Sequence, residues 1–202
     1  VKALPGLSPD ADVRYDPAWV APDDADAMLA ALIDEVPWSQ HRVLLFGREM
    51  PAPRLSAWIG DPGTAYTYSR VRHEPLPWTA TLATLRERLQ ASTGARFNSV
   101  LANRYRDGRD SMGWHADDEA ELGERPLIAS ISLGAARVFQ LKPRDGGRAQ
   151  SVTLGHGSLL LMGGNTQRLY VHALPKTARP VGERINLTFR WVGSRRAPGA
   201  SG

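Results

Sequence analysis

The stretch Arg184-Ile185-Asn186-Leu187-Thr188-Phe189-Arg190-Trp191 alternates without a break. Arg, Asn, Thr and Arg fall on one side; Ile, Leu, Phe and Trp fall on the other. A period of two marks a β-strand, because successive side chains point to opposite faces. The polar side either meets solvent or lines a ligand cavity. Strand geometry allows the second. Six steps at about 3.3 Å set the two Arg Cα atoms about 20 Å apart. Two converging guanidinium groups can then grip opposite ends of a short dicarboxylate by bidentate pairing.

The same period runs upstream. Ser99–Arg104, Leu127–Leu133, Arg137–Lys142, Gln150–Leu154, Ser158–Met162, Tyr170–Leu174 and Arg184–Val192 read as strands. Gly134, Asp145-Gly146-Gly147 and Gly155-His156-Gly157 supply turns, and His156 is expected to be solvated in its turn. Such spacing points to a sandwich, jelly roll or barrel rather than βαβ units. Two helices come first. Asp23–Val36 follows Pro22, has Asp23 and Asp24 as caps, and carries Met28, Leu29, Leu32, Ile33 and Val36 at helical spacing. Trp78–Ser92 carries Trp78, Leu82, Leu85 and Leu89 on one stripe, with Gly94 just past its end. The fold class is mainly β with flanking helices.

With 202 residues the chain fits one compact domain that builds its own core. Cysteine is absent, which excludes disulfides, thiolate metal sites and thiol nucleophiles, so any metal falls to His, Asp or Glu. No apolar run reaches the roughly 18–20 residues of a membrane helix. Pro5, Pro9, Asp10 and Asp12 do not read as a secretory leader. A cytoplasmic monomer without membrane contact is the default expectation. The net charge is +4, unevenly spread. Residues 1–40 hold eight acids against Lys2 and Arg14, so the rest of the chain is strongly basic and rich in Arg. That balance fits phosphate contact, and fits biased composition equally well.

The glycine fingerprints of nucleotide hydrolases, dinucleotide enzymes and serine hydrolases are missing. His115-Ala116-Asp117 is the first positive signal. On a strand, positions i and i+2 share a face, so an imidazole and a carboxylate project together. A second His would complete a two-His-one-carboxylate facial triad, the arrangement suited to non-haem Fe(II) with open coordination sites. A solvated His beside an acidic stretch is the plainer alternative. Of the remaining His, His172 lies on an expected strand and is the preferred third ligand. Asn103 and Tyr105 share another strand face and end in groups that hydrogen-bond oxygen, though a strand leading into the Asp107-Gly108 turn explains them too. Arg42, Arg48 and Arg54 surround Phe46, an arrangement suited to phosphate and base stacking; a buried hairpin Phe is the alternative.

The segments NRYRDGRDSMGWHADDE, SISLGAARVFQL, GSLLLMGGNTQ, VHALPK and RINLTFRWV, in this order, resemble the AlkB family of nucleic-acid dealkylating dioxygenases. The resemblance runs from about Arg42 to Val192. It implies a double-stranded β-helix (jelly-roll) core using Fe(II), 2-oxoglutarate and O2. His115, Asp117 and His172 would bind iron. Arg184 and Arg190 would hold the carboxylates of 2-oxoglutarate, helped by Asn103, Tyr105 and Asn186. The amino-terminal part is similar to the family's nucleotide-recognition region. Leu45-Phe46-Gly47-Arg48 resembles a hairpin that wedges into the base stack, Tyr66-Thr67-Tyr68-Ser69 resembles a lid over the flipped base, and Asp118 would face the substrate. The implied division is an acidic extension with one helix at 1–40, a recognition lid and supporting helix at 41–95, the catalytic core at 96–193 and a flexible basic tail at 194–202. The implied reaction is oxidative demethylation of bases such as 1-methyladenine and 3-methylcytosine in DNA, with RNA as a further partner. An oxygenase acting on RNA modifications, a protein or a small molecule, and a non-catalytic reader of modified nucleic acid, are the rival functions. Tyr170 departs from the family pattern, since many relatives carry Trp two residues before the third ligand.

Overall fold

The computed structural model describes residues 1–45, 48–64, 66–68 and 71–193. Phe46 and the expected tail at 194–202 lie outside the described residues, as do the side chains of Tyr66 and Tyr68. In chain order the elements begin with strands β1 (Lys2–Ala3) and β2 (Ala11–Asp16) and helix α1 (Pro22–Glu35). Next come β3 (Arg42–Leu45), β4 (Arg48–Pro51), β5 (Leu55–Gly60), β6 (Tyr66–Tyr68), β7 (Val71–His73) and helix α2 (Ala80–Thr93). The second half holds β8 (Ser99–Tyr105), β9 (Met112–His115), β10 (Ile128–Gly134), β11 (Arg137–Pro143), β12 (Gln150–Leu154) and β13 (Ser158–Gly164). A one-turn helix α3 (Thr166–Leu169) leads to β14 (Tyr170–Leu174) and β15 (Arg184–Arg190).

Seven strands form one sheet in the order β1-β2-β13-β10-β15-β8-β5, and four form a second in the order β12-β11-β14-β9. All pairings between these strands are antiparallel. β3–β4 and β6–β7 are separate hairpins. Two facing antiparallel sheets make the expected jelly roll.

The large sheet is buried on both faces, which is why β10 and β13 are buried along nearly their whole length. On one face Ile185, Leu187, Phe189, Val100, Ala102, Ile131 and Leu161 pack under α1 and α2. On the other, Ile128, Leu160 and Met162 meet Phe139, Leu141 and Tyr170 of the small sheet. The alternation at 184–190 therefore separates a helix-covered face from an inter-sheet face, not core from solvent. Leu187 has no exposed surface and lies in the helix-side core. Leu187→Ala should cost about 2–5 kcal/mol through lost burial and a residual cavity, read as a fall in the urea midpoint at unchanged slope.

Several boundaries differ from expectation. α1 is capped by no side chain; Asp23 and Asp24 sit in its first turn, where they favour the positive end of the helix dipole. α2 is capped at its start by Thr79, whose side chain accepts from the Leu82 amide, and at its end by Gly94 with φ 70°. The first 40 residues are built into the barrel: β2 pairs with β13 along its length, and α1 covers the large sheet. The Tyr170 hydroxyl accepts a hydrogen bond from the Ser8 amide at 2.9 Å, so the residue that departs from the family's Trp ties this amino-terminal segment down. His156 is not simply solvated. Its Nδ1 accepts from the Gly134 amide at 2.8 Å and links two turns.

Candidate active site

β9 and β14 bring two histidines together. His115 and His172 are Cα partners, and so are Met112 and Leu174. Three steps on β9 thus face two on β14, a β-bulge. A bulge re-aims side chains locally, and here it turns Trp114 out to 48% exposure while Met112 and His115 both line the cavity between the sheets. The shared direction of His115 and Asp117 is therefore not plain strand alternation, because β9 ends at His115. Asp117 is positioned from outside the strand. Its amide donates to Gln167 Oε1 at 3.0 Å, and its Oδ1 accepts from Arg190 Nη2 at 2.7 Å.

This geometry leaves three ligand atoms free to converge. His115 Nδ1 lies 2.8 Å from the Gly113 carbonyl, which only accepts, so Nδ1 carries the proton and Nε2 is the lone-pair nitrogen. Asp117 Oδ2 is the oxygen not engaged by Arg190, and it lies 3.9 Å from His172 Nε2. The ligand atoms of His115, Asp117 and His172 all lie within 4.8 Å of one another, close to the span of one ion with ligands about 2 Å away. Burial, reinforced by neighbouring His115, pushes His172 down to about 3. Burial also lowers His115, against the pull of Asp117. Both rings are thus neutral at physiological pH, the form that binds metal. Burial pushes Asp117 up, but the Arg190 cation beside it outweighs burial and holds the carboxyl below its ordinary range.

The polar face of β15 lines the same cavity. Arg184, Asn186, Thr188 and Arg190 meet Leu101, Asn103 and Tyr105 from β8 around a cavity that opens to solvent at its mouth. Arg184 is 1% exposed. Its Nη2 donates to Ser132 Oγ at 2.9 Å, while its Nε and Nη1 are buried and among the described residues no atom accepts from them. Its Cζ sits 5.2 Å from the centre of the Tyr105 ring. Burial lowers Arg184 to about 10, Tyr105 opposes that shift and Arg137 adds to it, so the group is still a cation at neutral pH. A buried cation with unused donors is costly unless an anion completes it. The residues present therefore fit a carboxylate ligand at Arg184 and a divalent metal at the triad.

Other expected residues are placed differently. Asn186 lines the cavity, but its Nδ2 donates to Ser130 Oγ and the Ile131 carbonyl at 2.7 and 3.1 Å, and its Oδ1 accepts from Thr188. It braces the wall instead of offering free donors to a ligand. Arg54 is a correction: at 5% exposure it is not on an outer basic surface, and its Nε donates to Asn103 Oδ1 at 3.0 Å. Arg48 is exposed on β4, and Arg42 pairs with Glu49. Tyr66 and Tyr68 lie on β6 opposite His73 and Val71. Asp118 is half-exposed beside the triad and pairs with Arg144. Sequence reading missed Gln167, which holds Asp117, and Ser130 and Ser132, which hold Asn186 and Arg184. The two serines were findable: they alternate within Ser130-Ile131-Ser132 as the polar residues of β15 do.

Known proteins resemble this chain over most of its length. The profile of the 2OG-Fe(II) oxygenase superfamily matches residues 12–190. The chain is 39% identical to DNA oxidative demethylase ALKBH2 of Mus musculus, over 93% of this chain and 81% of that protein. This chain belongs to the AlkB family of 2OG-Fe(II) oxygenases. It is also 43% identical to Alpha-ketoglutarate-dependent dioxygenase alkB homolog 3 of Rattus norvegicus, over 91% of this AlkB-family chain but 65% of that relative's length. The solved structure of OsALKBH1 matches with a TM-score of 0.61 and 18% identity, covering 92% of this chain and 99% of that one; at that identity the match speaks for the fold. Fe(II), 2-oxoglutarate and O2 are the cofactors of this family. Among the described residues no helix is long and apolar enough to cross a membrane.

Proposed function

We propose that this chain is an Fe(II)/2-oxoglutarate-dependent dioxygenase that oxidatively dealkylates N-alkylated bases in DNA, with RNA as a second substrate class. The observation that carries the reading is one cavity holding a convergent His-Asp-His set and a buried Arg184 with unused donors. The iron and its co-substrates, when bound, would supply the oxidising power to hydroxylate an N-methyl carbon, which leaves as formaldehyde while 2-oxoglutarate and O2 give succinate and CO2.

The protein supplies position and dryness. His115, Asp117 and His172 hold the metal. Arg190 orients Asp117 and faces one carboxylate of 2-oxoglutarate. Arg184, with Tyr105 and Asn103, takes the other, and Asn186 keeps the wall in register. Leu101, Phe139, Leu154 and Leu174 line the rest of the cavity and keep water out. A base inside a duplex cannot reach such a site, so the nucleotide enters single-stranded or flipped. In this reading residues 41–95 are the recognition lid, with Phe46, Arg48, Tyr66, Tyr68 and Asp118 toward nucleic acid. Residues 96–193 are the catalytic core, and a single copy of the chain works in the cytoplasm.

The test is anaerobic reconstitution with Fe(II) and 2-oxoglutarate, then admission of O2. Oligonucleotides carrying 1-methyladenine or 3-methylcytosine are followed by mass, as single-stranded DNA, duplex DNA and RNA. Loss of one methyl per succinate formed supports the reading. Succinate formation with every oligonucleotide unchanged moves the substrate to a protein or small molecule. Phe46→Ala should impair duplex turnover more than single-strand turnover, because an open strand needs no wedge. Equal loss on both substrates removes the wedge role.

A further inference from the structure

Arg54 lies in the short connection between β4, the second strand of the hairpin, and β5 of the large sheet. An external arginine there would serve phosphate contact. This one is turned inward and buried, and its Nε donates to the side chain of Asn103 at 3.0 Å, 49 positions along the chain. Asn103 is itself 1% exposed and lines the cavity two residues from Tyr105. The connection is anchored on both sides. The Pro53 carbonyl accepts from the Ser111 amide at 2.9 Å, and the Ala52 amide donates to the His41 carbonyl at 2.8 Å.

We infer that Arg54 is a positioning residue for the co-substrate: it fixes the amide of Asn103 so that its Nδ2, a donor, faces the 2-oxoglutarate site. The inference rests on the functional reading above. A carboxamide has one accepting and one donating end, and the two orientations have nearly the same shape. Guanidinium has donors only, so the end facing Arg54 must be Oδ1. The other end is then Nδ2, and among the described residues nothing accepts a hydrogen bond from it. Without Arg54 the amide is free to turn, and an oxygen facing a dianion repels it. The same cation sits at the root of the β3–β4 hairpin, so it joins the hairpin's base to the wall of the co-substrate site.

The test is a double-mutant cycle on 2-oxoglutarate affinity, by anaerobic calorimetry with Mn(II) in place of iron. No turnover is needed, so binding and activity are read separately. Arg54→Met should weaken 2-oxoglutarate binding about tenfold, the loss of one hydrogen bond to a charged group. Asn103→Leu should weaken it to a similar degree. The double variant should be no weaker than Asn103→Leu alone, because Arg54 acts through that amide. Arg54→Lys keeps a donor and should stay within about threefold of the parent, which separates this role from misfolding. Unchanged affinity in Arg54→Met, or additive losses in the double variant, overturns the inference. So does unchanged co-substrate affinity joined to weakened oligonucleotide binding, which would place Arg54 with the nucleic acid. If the parent chain itself binds no 2-oxoglutarate with Mn(II), the functional reading fails first.

Discussion

Asp117→Ala should abolish turnover and also lower the stability of the metal-free protein by about 3–5 kcal/mol, whereas His115→Ala should abolish turnover at little cost to stability. The two proposed ligands differ in what surrounds them. Asp117 is buried, and its Oδ1 accepts from an equally buried Arg190. Removing the carboxylate leaves that guanidinium facing a hole where its counter-charge stood. Breaking a buried ion pair from one side costs far more than the pair contributes, because the remaining charge stays desolvated. His115 is partly exposed, its proton is held by a neighbouring carbonyl, and its removal strands no charge. Both variants lose a proposed metal ligand, so both should lose activity. Urea denaturation of the chelated protein separates them. Equal midpoints for the two variants would show that Asp117 is not the counter-charge of Arg190 in solution. Asp117→Asn sharpens the comparison: it keeps the shape and an accepting oxygen but loses the charge, so its stability should fall between the parent and Asp117→Ala.

The parts of this site legible in the sequence are those set by local period. The run from Arg184 to Arg190 reads as a strand because nothing interrupts its alternation, and its polar face lines the cavity. The strand ends there, and the apolar Trp191 that follows is exposed for a reason no local pattern carries. Asn98 takes the backbone of Val192 from both sides, at 2.8 and 2.7 Å, where the strand has ended; Val192 stays in the inter-sheet core, while Trp191 is left exposed against Arg96. His115 and Asp117 were legible as residue types, but the geometry that aims them was not. It depends on a bulge set by pairing with β14 and on Gln167, a helix residue 50 positions away. Arg54 shows the same limit from the other side. Ala52-Pro53-Arg54 looks like an exposed connection, and nothing local reveals that a cavity wall 49 residues later turns the side chain inward. β2 was missed because its six residues gain their strand identity from β13, against which they add an outer strand. Non-local hydrogen bonding decides each of these cases, and a single sequence does not display it.

Arg184→Met should weaken 2-oxoglutarate binding by a factor of about 100 or more while leaving the metal-free protein at least as stable as the parent. The first effect follows from the donors. Among the described residues nothing accepts from Arg184 Nε and Nη1, which sit in the cavity wall, so a carboxylate there gains two charge-assisted hydrogen bonds. At roughly 1.5–3 kcal/mol each, their loss is worth at least two powers of ten in affinity. The second effect runs opposite to the usual expectation for a buried residue. In the metal-free, ligand-free protein this cation is desolvated; its Nη2 donates to Ser132 Oγ, and Tyr105 beside it offsets only part of the cost. That desolvation is what lowers its pKa to about 10. Methionine fills much of the same volume without the charge, and replacing buried ionic groups by apolar side chains of similar size is often neutral or stabilising by about 1–4 kcal/mol. Ser132 loses a donor, but a hydroxyl can rotate toward another partner, which limits the penalty. Calorimetry with 2-oxoglutarate and Mn(II) reads the first effect, and thermal unfolding of chelated protein reads the second. Weak binding joined to a large fall in stability would mean that Arg184 holds the sheets together and touches the ligand only incidentally. Weak binding at undiminished stability would mean that the fold carries a charge it does not need, kept in place for the anion that completes it.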